Sequence, residues 1–274
     1  MKKSGGKLRL GIAGCGAIGS RIALSISGEL KGDFMLTALY DVDLDKTVAL
    51  ASRIKATKAV KHSIDDLIAS CDVVAECVNT PGAEGIVRKS LKAGKKVLAM
   101  SVGRLFGKNS LFLLARQHRA SLVLPSGAIA GLDAIKAARL AGFRSITLTS
   151  TKPPAGFKGN AYLNKRRIQI DKITSDKVLF DGGVNEAVSK FPQNINVAAA
   201  LALSADGAKV RVRIVASPAA TRNTHEIFCE GKSGTIRTVT ENVPCPDNPK
   251  TSYLAVLSGI QALKQLSDQV KIGT

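Results

Sequence analysis

The sequence predicts an α/β fold in two parts: an N-terminal domain with a doubly wound parallel sheet, and a second α+β domain built on a mostly antiparallel sheet. Three observations predict it. A glycine-spaced turn at residues 14–19 separates an apolar run from a helical one. Apolar strands and amphipathic helices then alternate to about residue 125, and from residue 145 the strands turn to period-two alternation. With 274 residues and 45% hydrophobic content, the chain can build two ordinary cores. A charged content of 22% excludes a disordered or low-complexity protein.

Each element follows from its own pattern. Leu8 to Ala13 is a strand that stops at Gly14, and Ala17 to Ser27 reads as a helix. MLTALYD (35–41) is a second strand ending in an acid, and residues 43–54 form a helix with Asp43 in the N-cap position. Next come a short helix at 63–69, a buried strand at 71–78 (CDVVAECV), and a helix at 81–93 entered through Thr80-Pro81. A strand at 95–101, a helix at 109–118 and a strand at 121–125 complete the alternation. Each crossover must carry its helix to one face of the sheet, so the strands run parallel and are covered on both sides. Beyond that point, strands at 145–151, 177–182, 208–216, 224–231 and 234–241 suit a half-exposed antiparallel sheet. Helices are expected at 183–189 and 194–204, with a long amphipathic one over about 249–268.

The turn itself reads Gly14-Cys15-Gly16-Ala17-Ile18-Gly19, the GxGxxG spacing of a Rossmann-type dinucleotide site. The first glycine permits the tight turn, the second lets backbone approach a pyrophosphate, and the third lets helix and strand pack closely. Backbone at Ala17 and Ile18 opens the helix whose N-terminus faces the phosphates. Asp41 closes the second strand 27 positions after Gly14, where an acid would accept the ribose hydroxyls. Val42 and Asp43 follow in place of an arginine, an acidic edge that favours NAD as cofactor while leaving NADP open. Asn79 and Thr80 leave the 71–78 strand at its C-terminal end, and are read either as cofactor contacts or as the bland start of the next helix.

Charge is the ambiguous property. Forty Lys+Arg against 21 Asp+Glu give +19, which suits a nucleic-acid binder or an enzyme of anionic metabolites. The basic residues are dispersed and only 4% of residues are aromatic, which argues against a nucleic-acid partner. No apolar run approaches the ~20 residues of a membrane span, so no membrane partner is expected. The N-terminal stretch lacks the apolar core of a secretory signal, and five scattered cysteines without a CxxC pair suit a reducing compartment, so a cytoplasmic location is expected. The three histidines, His62, His118 and His225, have no ligand partner at metal-site spacing, so no metal is expected.

Of these, His225 is the one singled out for chemistry. Period two places it on one strand face with Asn223, Ile227 and Cys229, and puts Glu226 on the other. From its position alone it reads as structural or catalytic.

Several segments together resemble the L-aspartate dehydrogenase family: GIAGCGAIGS, PSGAIAGLDAI, KFPQNINVAAALALS, THEI and DNPKTSYLA, in that order over nearly the whole chain. The resemblance implies that the first domain binds NAD(P), that the second carries the catalytic surface and homodimer contacts, and that the last helix returns to the first. It thus sets the boundaries at 1–126 plus about 248–274 for the dinucleotide-binding domain and 127–247 for the catalytic and dimerisation domain. It implies oxidative deamination of L-aspartate to iminosuccinate, which is hydrolysed to oxaloacetate and ammonia or passed on to NAD biosynthesis. By the same resemblance, the catalytic positions fall on His225 and Asn248, and the nicotinamide-side positions on Ala128 and Asn196. Two substrate carboxylates need cations, for which Lys152 and Lys250 are the candidates. The stretch 151–170 is longer and more basic than the family pattern. The alternatives are another dehydrogenase of the same two-domain plan, like homoserine dehydrogenase, and a non-enzymatic dinucleotide sensor that holds nucleic acid.

Overall fold

A computed structural model describes residues 6–78, 80–192, 195–246, 248–270 and 272–273. Asn79 therefore lies outside the described residues, as does the side chain of Lys250. The chain forms two compact units, Met1–Pro125 with Val256–Val270, and Ser126–Ala255 with Lys271–Thr274.

In the first unit the order is β1 (Leu8–Ala13), α1 (Ala17–Ser25), β2 (Phe34–Tyr40), α2 (Leu44–Arg53), α3 (Ile64–Ala69), β3 (Val73–Glu76), α4 (Ala83–Lys92), β4 (Lys96–Ala99), α5 (Val102–Leu105), α6 (Asn109–Gln117) and β5 (Ser121–Val123). All neighbouring strands pair in parallel, in the order β2-β1-β3-β4-β5. Successive strand residues point to opposite faces, so the burial of all four residues of β3 shows that helices cover both. Leu67 and Ile68 of α3 pack with Ala13, Ala38 and Val74, while Val87 and Leu91 of α4 pack with Val97, Ala99 and Leu111. Helix α3 opens on a side-chain N-cap: Ser63 Oγ accepts from Asp66 N at 3.1 Å and donates to its carboxylate at 2.7 Å. Asp43 stands in the N-cap position of α2 without a side-chain cap bond, and its carboxylate pairs with Lys46 Nζ at 3.1 Å.

The second unit runs α7 (Leu132–Ala138), β6 (Phe143–Lys152), α8 (Ala161–Lys165), β7 (Lys177–Gly183), α9 (Val184–Lys190), α10 (Asn196–Ala205), β8 (Val210–Ala216), β9 (Asn223–Gly231), β10 (Gly234–Asn242), β11 (Pro244–Cys245) and β12 (Asn248–Ser252). Its sheet has the order β10-β9-β6-β8-β7, antiparallel except for the β6–β8 pair. Burial alternates along β8, from Val210, Val212 and Ile214 inward to Arg211 and Arg213 outward, so one face of this sheet carries the core.

Helix α11 (Tyr253–Ser267) starts later than the apolar periodicity predicts. Residues Asn248–Ser252 pair instead with Pro244–Cys245 and group with the second unit, so the chain re-enters the first unit at Val256 and not near 248. Pro249 is the physical reason: the residue before a proline avoids the α region, and Asn248 extends.

Candidate functional site

Two groups of residues carry chemistry, one in each unit. In the first, β1 is flanked by β2 on one side and β3 on the other, the point where an open α/β sheet leaves a crevice beyond its strand ends. The glycine loop fills that edge as its spacing requires. Gly14 has φ +98°, a conformation a side chain would strain, and a Cβ there would lie 2.8 Å from the Cys77 carbonyl. A Cβ on Gly19 would collide with the Gly14 carbonyl oxygen. Gly16 is exposed and faces open space, and it opens α1 with neither a side-chain cap nor an acidic residue in the first turn. The free N–H groups of that turn, at Ala17 and Ile18, are the donors a pyrophosphate would use. The loop therefore fits a dinucleotide.

Asp41, the residue after β2, holds this loop. Its carboxylate accepts from Cys15 N at 2.7 Å and from Asp43 N at 3.0 Å. Each oxygen keeps a lone pair, so the same group can still accept hydroxyls. Thr80 is exposed where the chain enters α4, and its carbonyl accepts from Ala83 N at 3.2 Å. Cys15 is a thiol, pushed up to about 11 by burial.

The second group is built by strand register. On β9, His225 stands opposite Ser150 of β6 and Thr240 of β10, and points to the buried face with Ile227 and Cys229. Ser150 Oγ lies 2.9 Å from His225 Nδ1, with both residues under 5% exposed. Two positions further on the same face of β6 is Lys152, part-buried at the strand end. Ala128 is held over this end of the sheet by its carbonyl, which accepts from Thr240 Oγ1 at 2.7 Å and from Asn242 Nδ2 at 3.1 Å. Among the described residues Asn242 Oδ1 is buried without a partner, an acceptor whose orientation is fixed because Nδ2 must face the Ala128 and Asn223 carbonyls. The loop of Ala128 runs beside the start of α10, where Gly127 approaches Val197 and Asn196 is exposed at the first helical position. Asn248 sits on the separate β11–β12 ribbon, its amide donating to Thr251 Oγ1 at 3.2 Å.

The histidine does not titrate near neutrality, as an acid–base residue in water would. Burial, and then the charge of Lys152, lower His225 to about 3, so the imidazole is neutral at physiological pH. Desolvation lowers Lys152 to about 8, leaving it cationic at pH 7. Ser150, Asn242 and the buried acid Glu76 were not singled out from the sequence. The one signal for Glu76 was a carboxylate inside the apolar stretch 73–78.

A doubly wound unit with a fitted glycine loop, joined to a sheet unit that carries a buried histidine, defines a two-domain dehydrogenase that uses a nicotinamide dinucleotide. Comparison with known proteins agrees in each half. Residues 14–125 match the NAD-binding domain of homoserine dehydrogenase, and residues 133–266 match the C-terminal domain of aspartate dehydrogenase. The L-aspartate dehydrogenase of Methanosarcina mazei is 43% identical over 272 residues, covering 97% of this chain and all of that one. That of Methanococcus maripaludis strain C6 is also 43% identical, over 271 residues and the same shares. The chain belongs to the L-aspartate dehydrogenase family. Aspartate dehydrogenase from Thermotoga maritima shares the fold, with a TM-score of 0.74 at 23% identity over 98% of this chain and all of that one. Among the described residues no helix is long and apolar enough to cross a membrane, and no cluster of metal ligands is found.

Proposed function

We propose that the protein oxidises L-aspartate at the expense of a nicotinamide dinucleotide, giving iminosuccinate and then oxaloacetate and ammonia. The observation that carries this reading is the buried Ser150–His225 pair beside Lys152, in a chain 43% identical to L-aspartate dehydrogenases along its whole length. The bound dinucleotide supplies the hydride acceptor. His225 supplies the proton chemistry. With Nδ1–H donated to Ser150 Oγ, the Nε2 lone pair is left to take a proton from the substrate ammonium or from the water that attacks the imine. Lys152 pairs with one substrate carboxylate and Lys250 with the other. Pairing a carboxylate with Lys152 offsets the cation that depresses His225, so substrate binding itself makes the ring a better base. Asn248 orients the reacting groups, while Ala128, Asn196, Asn79 and Thr80 contact the cofactor. An assay of NADH formation over a panel of amino acids tests the reading: L-aspartate is the expected substrate, and turnover of homoserine in its place would refute it.

The cofactor is NAD in preference to NADP, because Asp41 keeps lone pairs for the ribose hydroxyls and Asp43 adds negative charge beside it. Asp41→Ala is expected to narrow the preference, since it removes the acceptor and the repulsion of a 2′-phosphate together. The comparison is kcat/KM for the two cofactors; a wild-type preference for NADP of about tenfold, or 1.4 kcal/mol, would contradict it.

Lys152 gives a pH dependence with a definite sign. Its cation is present below about pH 8 and lost above, so KM for aspartate is expected to rise through pH 8–10. Lys152→Met should raise KM at neutral pH and flatten that rise. A profile unchanged by the substitution would remove Lys152 from the carboxylate site.

The active form is a cytoplasmic homodimer without a nucleic-acid partner. The outer face of the second sheet supports the dimer, with Val178, Phe228 and Val239 each 40% exposed or more. A dimeric mass by light scattering is the corresponding check.

A further inference from the structure

Strand β3 ends in an acid that the reaction does not use. Glu76 follows Val73, Val74 and Ala75 and is fully buried. Its partners among the described residues are three donors, none of them a cation: Val78 N at 2.8 Å, Ser101 Oγ at 2.5 Å and Ser101 N at 3.3 Å. Burial raises this carboxyl to about 6, so it is ionised at neutral pH at a cost to the fold. A neutral side chain of similar volume would fill the space without that cost.

The donors lie where the dinucleotide is expected. Val78 belongs to the loop after β3 and Ser101 to the loop after β4, neighbouring parallel strands whose C-terminal ends border the crevice. The Val78 loop is also the wall against which Gly14 packs, since a Cβ on Gly14 would lie 2.9 Å from Val78 Cγ1. One carboxylate thus ties together the loops after β3 and β4, and through Val78 it backs the glycine turn.

We propose that Glu76 is a positioning residue for the dinucleotide: it fixes the Val78 and Ser101 peptides so that the loops after β3 and β4 hold the shape that receives the cofactor. The inference rests on the dinucleotide site proposed above. Glu76→Gln tests it, because the amide keeps the volume and can accept from Val78 N, but turns an NH2 toward Ser101 N and loses that bond.

NADH binding is titrated by fluorescence, and the melting temperature of the cofactor-free protein is measured alongside. For Glu76→Gln, Kd for NADH and KM for the oxidised cofactor are expected to rise at least about tenfold. The kcat at saturating cofactor should stay within about threefold, and the melting temperature should equal or exceed that of wild type. Ser101→Ala, which removes one donor and leaves the carboxylate, should weaken NADH binding in the same direction by less. A Kd within about twofold of wild type in Glu76→Gln would overturn the proposal. So would weaker binding matched by a lower melting temperature in both variants, since Glu76 would then only hold the fold. Failure of the wild-type protein to bind NADH would instead overturn the dinucleotide reading beneath it.

Discussion

Replacing His225 by alanine is expected to lower kcat by roughly 10²–10⁴-fold, the usual worth of a positioned acid–base group, while NADH still binds. The ring is buried and bonded to Ser150, so its removal also leaves a cavity and an unpaired hydroxyl, and some thermal stability is lost with it. Turnover is therefore compared per folded molecule. Ser150→Ala separates the two roles. It leaves the imidazole in place but frees Nδ1, and should cost about tenfold in kcat, near the upper worth of one hydrogen bond. If His225→Ala stayed within about threefold of wild type, the loss would be under 1 kcal/mol and the histidine would be a packing residue.

Gly19→Ala should abolish measurable NADH binding or unfold the first unit. The added methyl would overlap the Gly14 carbonyl oxygen, and backbone against backbone cannot yield as a flexible side chain can. Either α1 tilts away from β1, which spoils the pyrophosphate cradle, or the turn at Gly14 leaves its φ of +98°. A loss of about 2–3 kcal/mol, near 100-fold in Kd, is the expected scale. Gly85→Ala is the control. Gly85 is an exposed residue of α4 with open space around it, and alanine there should stabilise the helix by about 0.5–1 kcal/mol without touching NADH affinity. Equal NADH affinity in Gly19→Ala and wild type would remove the glycine loop from the cofactor site.

The parts of the molecule that were legible in the sequence are those set by local pattern. The strand and helix alternation to residue 125, the glycine spacing, and the inward face shared by His225, Ile227 and Cys229 all follow from periods of 2 and 3.6, and the structure has them. Long-range consequences were not legible. Ser150 and His225 are 75 positions apart, and only the antiparallel register of β6 and β9 makes them a pair. The ionisation of His225 was not legible for the same reason: the burial that lowers it to about 3 is a property of the assembled sheet. Asp43 has the right residue type for a cap and stands in the cap position, yet its carboxylate pairs with Lys46 and makes no cap bond. Asn248, Ala128 and Asn196 came from family resemblance alone; nothing in their spacing would have selected them.

The central claim is that hydride leaves the Cα of L-aspartate. L-Aspartate deuterated at Cα, turned over with NAD, tests it through the isotopic mass of the reduced cofactor. One deuterium per NADH formed, with ammonia released in equal amount, is the expected result. Reduced cofactor without deuterium, or no turnover of aspartate by protein that binds NADH, would contradict the claim.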